Sequence, residues 1–320
     1  METNKKYVSC NLIEHGFDTN IDAINFCCRS SNSGGGFKPL ISNYHGESID
    51  WDNFFKIKNN YRNQMKKGII IEECKNCIYL EEKEWDDEDY ISYINFNHGM
   101  VCNSNCIYCY LENVKGTQTP YSALPIVKEM IEKNILRTGG HVTIAGGEPT
   151  TDPDFEELLD TFLDFGINPI RVLTNGIKYS SAIEKGVRLG SLTTVISVDA
   201  GTKETFYKIK RVNAFDKVWG NLKKYSEAKK HNHNVKSKFI IIPGLNDNKK
   251  EIDLFLKKSA EAKIIEVCVD VELFWFDKNS HNLPNNLLNI FNHFIKKAKD
   301  LGLLPDPIDR GVILATKIKE

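Results

Sequence analysis

From Tyr90 onward, short apolar runs rich in β-branched residues alternate with amphipathic helical runs, and this alternation limits the fold more than any other feature of the chain. Such alternation builds βαβ units around a parallel sheet. Strands are predicted over 91–97, 141–145, 169–174, 193–199, 236–242 and 266–274. Helices are predicted over 122–137, 154–165, 180–189, 215–231, 249–263 and 286–301. Asp152-Pro153 opens the second helix with a proline near its first turn, a good start signal. A length of 320 residues admits one barrel-sized domain and a smaller one. The expected fold is α/β: a partial (β/α)6 TIM-like barrel with a small irregular N-terminal cysteine-rich domain stapled by metal. A flat doubly wound sheet shares the same spacing. In a barrel, chemistry gathers at the C-terminal ends of strands and in the loops that follow.

Before Tyr90 the texture differs. Residues 1–89 hold five of the nine cysteines, a Gly34-Gly35-Gly36 run and an acidic stretch ending at Asp89. Segments poor in apolar periodicity commonly need a metal to fold. The expected division is therefore 1–89 as a cysteine-rich auxiliary domain and 90–320 as the barrel with a C-terminal extension. The polar N-terminus and the lack of an 18-residue apolar run point to a cytoplasmic chain without membrane contact. In a reducing compartment, clustered cysteines indicate metal or catalysis rather than disulfides. A net charge of −1 without a basic stripe argues against a large nucleic-acid partner.

Directly after the first strand stands Cys102-Asn-Ser-Asn-Cys106-Ile-Tyr-Cys109. Three thiolates within eight residues can wrap one metal centre. On a [4Fe–4S] cluster three ligands leave the fourth iron open to an outside ligand. A structural zinc site would want a fourth protein ligand. Other distinctive residues also fall at predicted strand ends: Gly146-Gly147-Glu148-Pro149, Thr174-Asn175-Gly176, Ser197-Val198-Asp199 and Ile242-Pro243-Gly244-Leu245-Asn246-Asp247.

This series resembles the radical S-adenosylmethionine (SAM) superfamily over residues 90–275, with CxxxCxxC and GGEP in the family's order. The resemblance implies that Cys102, Cys106 and Cys109 hold a [4Fe–4S] cluster and that SAM chelates the open iron. It implies Tyr108 near the adenine. Gly146, Gly147, Glu148 and Pro149 would border the methionine ammonium. Ser197 and Asp199, two apart on one strand face, suit ribose hydroxyls. Asn175 is kept for its position, although Asn-Gly is a common turn. Lys238 is a candidate partner for the methionine carboxylate. The implied activity is reductive cleavage of SAM to a 5′-deoxyadenosyl radical that abstracts hydrogen from substrate.

Two further groups complete the reading. On the sixth strand Cys268, Asp270 and Glu272 share one face and Val267, Val269 and Val271 the other. The polar face is expected inward, as substrate-side catalytic residues, with Asn95 and Asn97 of like parity. Cys10 to Cys28 is similar to the first half of a SPASM domain, although placed before the barrel. Cys10, Cys27, Cys74 and Cys77 are candidate ligands of a second, auxiliary [4Fe–4S] cluster, with Cys28 as the alternative to Cys27; a zinc knuckle is the other reading. An auxiliary cluster favours oxidation of substrate, and a Cys268 thiol would favour epimerisation. Expected partners are a small-molecule (sugar- or nucleotide-like) or peptide substrate and a reductant such as flavodoxin or ferredoxin. The rival classes are a non-catalytic iron–sulfur or zinc sensor and a radical RNA-modifying enzyme.

Overall fold

The computed structural model describes residues 6–27, 38–75, 77–111, 116, 119–280 and 283–319. Cys28 lies outside the described residues, as does Gly34-Gly35-Gly36. The chain gathers into two compact units.

Unit 1 comprises 1–100, 117–147 and 157–170. Its strands are β1 (Tyr7–Ser9), β2 (Gly16–Asn20), β3 (Ala23–Asn25), β4 (Ile41–Ser42), β5 (Glu81–Lys83), β6 (Ile91–Phe96) and β7 (Leu136–Ile144). β7, β6 and β2 run parallel, while β3 and β4 continue the sheet antiparallel. β1 pairs separately with β5. The stretch before 90 is therefore not irregular, and β2 shares a sheet with β6 across the expected boundary at 89.

The longest element missed there is the helix Trp51–Lys66, capped by Asp50. It buries Trp51, Phe54, Phe55, Lys58, Arg62 and Met65, a stripe at helical spacing. Two of those core positions carry cations, which hid the apolar period. Both cations are engaged. Lys58 Nζ donates to the Gly16 carbonyl at 3.1 Å, and Arg62 binds Glu14 at 2.8 Å and Asp89 at 2.9 Å.

Gly16 makes this region possible. A Cβ there would stand 2.2 Å from the Phe26 carbonyl oxygen and 2.4 Å from that of Leu12. Both obstacles are backbone and cannot swing aside. Gly16→Ala is expected to cost about 3 kcal/mol, read as a lowered urea midpoint with an unchanged slope.

At the end of β6, His98 stacks on Tyr121 (4.7 Å between centroids, 13° between planes) and its Nδ1 meets Thr19 Oγ1 at 3.3 Å. Burial lowers its imidazole to about 4. The folded state then stays neutral while the unfolded chain takes up a proton. This contribution is complete above pH 6.5 and is lost as pH falls towards 4, at most about 3 kcal/mol. In His98→Gln, the drop in urea midpoint between pH 7.5 and pH 5 is expected to shrink.

Unit 2 comprises 101–116, 148–156 and 171–320. The strand Ile170–Thr174 (β8) leads into it. There follow β9 (Leu192–Ser197), β10 (Val235–Ile241), β11 (Glu266–Val271) and β12 (Leu304–Pro307), in spatial order β12-β11-β10-β9-β8. The β9–β10, β10–β11 and β11–β12 pairs are parallel. Phe239 of β10 packs on Phe255 of helix Lys249–Glu261 (5.0 Å) and on Phe294 of helix Asn285–Asp300 (5.9 Å).

The last predicted strand, 266–274, ends at Val271. Glu272 accepts from Phe274 N at 3.0 Å and Trp275 N at 2.7 Å, and so starts the helix Leu273–Asn279. A helix at Lys203–Lys210 was also not anticipated. Among the described residues no helix is long and apolar enough to cross a membrane.

Candidate active site

The cysteine loop lies in unit 2, docked on the C-terminal end of helix Lys203–Lys210. Asn105 N donates to the Lys210 carbonyl (2.9 Å), and Ile107 N to that of Ile209 (3.0 Å). These carbonyls belong to the helix end and need outside donors. Ser104 Oγ lies 3.5 Å from Cys102 Sγ and 3.4 Å from Cys106 Sγ, so two thiols face one point. Cys102, Cys106 and Cys109 are each half-exposed. A cavity of 550 Å³ opens beside the loop, lined by Cys102, Ser104 and Arg211 among others. Soft sulfur donors, a shared focus and an open cavity fit an iron–sulfur cluster with one iron left for a guest.

Glu148 follows the double glycine and is 2 % exposed. Its carboxylate accepts from Thr150 N (3.2 Å), Thr150 Oγ1 (2.6 Å), Thr174 Oγ1 (2.6 Å) and Asn175 N (2.6 Å). The carboxylate thus ties the Pro149–Thr151 turn to the residues that end β8. Pro149 starts a short 3-10 turn. In unit 1, Gly146 has φ +80°, and a Cβ on it would stand 2.7 Å from the Asn97 carbonyl; Gly147 has φ +46°. Glycine is needed here for conformation and close approach alike. Asn97 contributes backbone there.

Asn175 joins the loop directly. Its Nδ2 donates to Asn103 Oδ1 at 2.7 Å and lies 3.7 Å from Cys102 Sγ. Asp199 is fully buried in the left-handed region, φ 62°. Oδ1 accepts from Ile240 N (2.8 Å), and Oδ2 binds Tyr108 OH and Lys210 Nζ, each at 2.5 Å. Both carboxylate oxygens thus accept from groups of the chain itself. The Tyr108 ring packs against the cluster of Ile209, Ile240 and Ile242, so this aromatic anchors the loop. Ser197 and Lys238 face each other in register, both half-buried.

The polar residues of β11 are engaged by neighbouring groups. Cys268 is fully covered and its thiol donates to Asp306 Oδ2 at 3.6 Å; burial, with Asp306 next, raises the thiol to about 12. Asp270 binds Arg310 and the Gly311 amide, and Glu272 caps a helix. β12 pairs along the edge of β11 and brings Asp306 to Cys268, while Arg310 and Gly311 bind Asp270, so these polar groups satisfy one another. The parity was legible in the sequence, but the covering elements were not. The sequence missed Lys210, Ser104 and Glu251, and it marked Asn246 only as part of the motif after β10. Asn246 bridges the Asp199 and Ile240 carbonyls at 2.8 Å each. Glu251 accepts from Gly201 N, Thr202 N, Thr202 Oγ1 and Thr205 Oγ1 and fixes the start of helix Lys203–Lys210. The one available signal was Thr202 as a helix cap.

Unit 1 holds the other cysteines. Cys10, Cys27 and Cys74 are buried and Cys77 half-buried; Cys77 N donates to the Cys74 carbonyl at 3.0 Å. Burial raises the Cys10 thiol, and the charge of Cys77 adds to the shift. Among the described residues no three His, Cys, Asp or Glu side chains close on a single metal ion. A 560 Å³ cavity is lined by Cys10, Tyr79, Tyr93, Asn95, His141 and Thr143 among others.

A loop of three thiols beside an open cavity, set on a βα scaffold, is where a three-cysteine iron–sulfur site would sit. The family model for the Radical SAM superfamily matches residues 96–256, just over half of the chain, and the chain belongs to that superfamily. Its members use a [4Fe–4S] cluster and SAM.

Among curated relatives, the chain is 30% identical over 171 residues to "GTPase Obg" of Brachyspira hyodysenteriae, covering 49% of this chain and 24% of that protein. It is 30% identical over 131 residues to "Probable GTP 3',8-cyclase" of Sulfurisphaera tokodaii (40% and 41%). It is 28% identical over 245 residues to "Uncharacterized protein MJ0804" of Methanocaldococcus jannaschii (76% and 78%). The match thus spans about two fifths or less of the first two relatives.

Among solved structures, Streptococcus suis SuiB bound to S-adenosylmethionine aligns with a TM-score of 0.53 at 17% identity, covering 82% of this chain and 58% of that one. SuiB bound to the precursor peptide SuiA gives 0.54 at 13%, covering 98% and 75%. These likenesses are of fold, and the class is the partial TIM-like α/β barrel.

Proposed function

We propose that this enzyme abstracts hydrogen from an uncharged polar small molecule and that the outcome is oxidation. The carrying observation is the 560 Å³ unit 1 cavity, where Tyr93, Asn95, His141 and Thr143 meet Cys10. Its polar groups are amide, hydroxyl, thiol and imidazole, with His141 Nε2 2.8 Å from Thr143 Oγ1, and the Glu81 carboxylate on its lining would repel an anion. No Lys or Arg is among its described lining residues, so it does not suit a phosphorylated ligand. A peptide remains the second substrate class, because the SuiB likeness includes a peptide-bound form.

Cys102, Cys106 and Cys109 would hold the SAM-binding cluster, and Cys10, Cys27, Cys74 and Cys77 an auxiliary one. When bound, the first centre and SAM supply a 5′-deoxyadenosyl radical, and the second supplies a one-electron acceptor beside the cavity. The chain's own residues do the rest: the 98–111 segment presents the thiols, and the cavity positions substrate and limits water. The full cover over Cys268 disfavours a thiol hydrogen donor, and therefore epimerisation. A reductant of the flavodoxin or ferredoxin class is the proposed electron source.

The test is anaerobic reconstitution followed by dithionite and SAM. Formation of 5′-deoxyadenosine and about eight irons per chain support the reading. About four irons with one zinc would remove the auxiliary cluster. Deuterium transfer from a labelled uncharged substrate into 5′-deoxyadenosine would identify the substrate class, and turnover of only phosphorylated compounds would overturn it.

A further inference from the structure

The cysteine loop rests on a buried ion pair that no motif announced. Lys210 and Asp199 have side chains 2 % and 0 % exposed and meet at 2.5 Å. Tyr108, between Cys106 and Cys109, completes the group: Lys210 Nζ donates to its hydroxyl at 2.6 Å and lies 5.1 Å from its ring centroid. Tyr108 OH in turn donates to Asp199. The same lysine gives its carbonyl to Asn105 N, so side chain and backbone grip the loop on either side of Cys106.

A buried ion pair is a poor way to gain stability, because desolvation offsets most of the attraction. It does fix geometry, and it places a permanent charge beside whatever the loop holds. The support is mechanically continuous. Glu251 fixes the start of helix Lys203–Lys210, and Asn246 fixes the backbone carbonyl of Asp199. Both partners are thus held by groups outside the loop.

We propose that Lys210 and Asp199 are positioning residues: a charge-balanced latch that docks the Cys102–Cys109 loop through Tyr108 and sets the electrostatic field at its thiolates. This rests on those thiolates holding the cluster. Two consequences follow. Without metal, the loop is shaped in advance, and its thiols are shielded in proportion to the latch. With the cluster bound, the two halves of the latch act on it with opposite sign.

The first arm labels the apo-protein with iodoacetamide and reads each cysteine by mass spectrometry, with buried Cys268 as the internal folding control. At about pH 10, where thiolates predominate in every variant, Lys210→Met and Tyr108→Phe are expected to label Cys102, Cys106 and Cys109 about tenfold faster than wild type, the change expected from losing a charge-assisted hydrogen bond. Lys210→Arg is expected to restore slow labelling. The second arm measures the midpoint potential of the reconstituted cluster by redox titration with EPR detection. Lys210→Met removes a cation and lowers the potential; Asp199→Asn removes an anion and raises it.

Labelling rates within about twofold of wild type, or potentials that move in the same direction in both variants, overturn the latch. If Lys210→Met exposes Cys268 and so fails to fold, Tyr108→Phe, which loses only a hydroxyl, decides the labelling arm. Failure of wild type to take up a cluster would instead sink the assignment of the three thiols, so the two failures are distinguishable.

Discussion

Replacing Cys102, Cys106 and Cys109 together with alanine is expected to abolish SAM cleavage, with 5′-deoxyadenosine falling to the level of a control without enzyme. The loss should be complete because the thiolates are the only protein attachment that family membership assigns to this cluster. Ser104 cannot substitute, since a neutral hydroxyl binds iron far less well than a thiolate. The fold should survive. The loop is docked by the amides of Asn105 and Ile107 and by Tyr108, none of which the substitution removes. Circular dichroism should therefore match wild type while the iron content drops. If the auxiliary cysteines also bind iron, about four irons per chain remain in the triple variant. A triple variant that still forms 5′-deoxyadenosine would end the assignment.

Glu148→Ala is expected to show the second-largest effect, and through a different route. Four donors converge on this carboxylate: the Thr150 amide and hydroxyl, the Thr174 hydroxyl and the Asn175 amide. Removing it leaves them facing one another without an acceptor. The cost should be about 3 kcal/mol or more, since the lost bonds were to a charged acceptor and the site is buried. Asn175 loses its anchor, and through its contacts with Asn103 and Cys102 the disturbance reaches the cysteine loop. SAM cleavage should fall by about a hundredfold or more, as for other groups held in place by shared hydrogen bonds. Glu148→Gln separates charge from shape. Its amide retains one acceptor oxygen but turns a donor towards other donors, so intermediate stability is expected. Urea midpoints and 5′-deoxyadenosine yields measured on both variants check this order. Wild-type stability in Glu148→Ala would show that the donors find other acceptors.

The β/α alternation after Tyr90 was legible because each element satisfies its own backbone and shows its period in its own residues. The helix Asn285–Asp300 and the strand Val235–Ile241 fall within a residue of their expected positions. The region before 90 was not legible. Lys58 and Arg62 stand at core positions of helix Trp51–Lys66, and their charges are satisfied only by residues far along the chain. A buried cation looks exposed until its partner is known. The same holds at the site. The cysteine triplet and the double glycine could be read from spacing, whereas the use of Asp199 could not.

By itself, the sequence determined the periodicities of the main elements and the clustering of three thiols in one loop, because both are properties of neighbouring residues. Tertiary structure alone decided which polar groups are already satisfied. Asp199 is taken by Lys210 and Tyr108, Glu148 by four donors, and Asp270 by Arg310. Whether the buried Asp199 is free for a ligand depends on partners 11 to 91 residues away, and no local pattern encodes such distances.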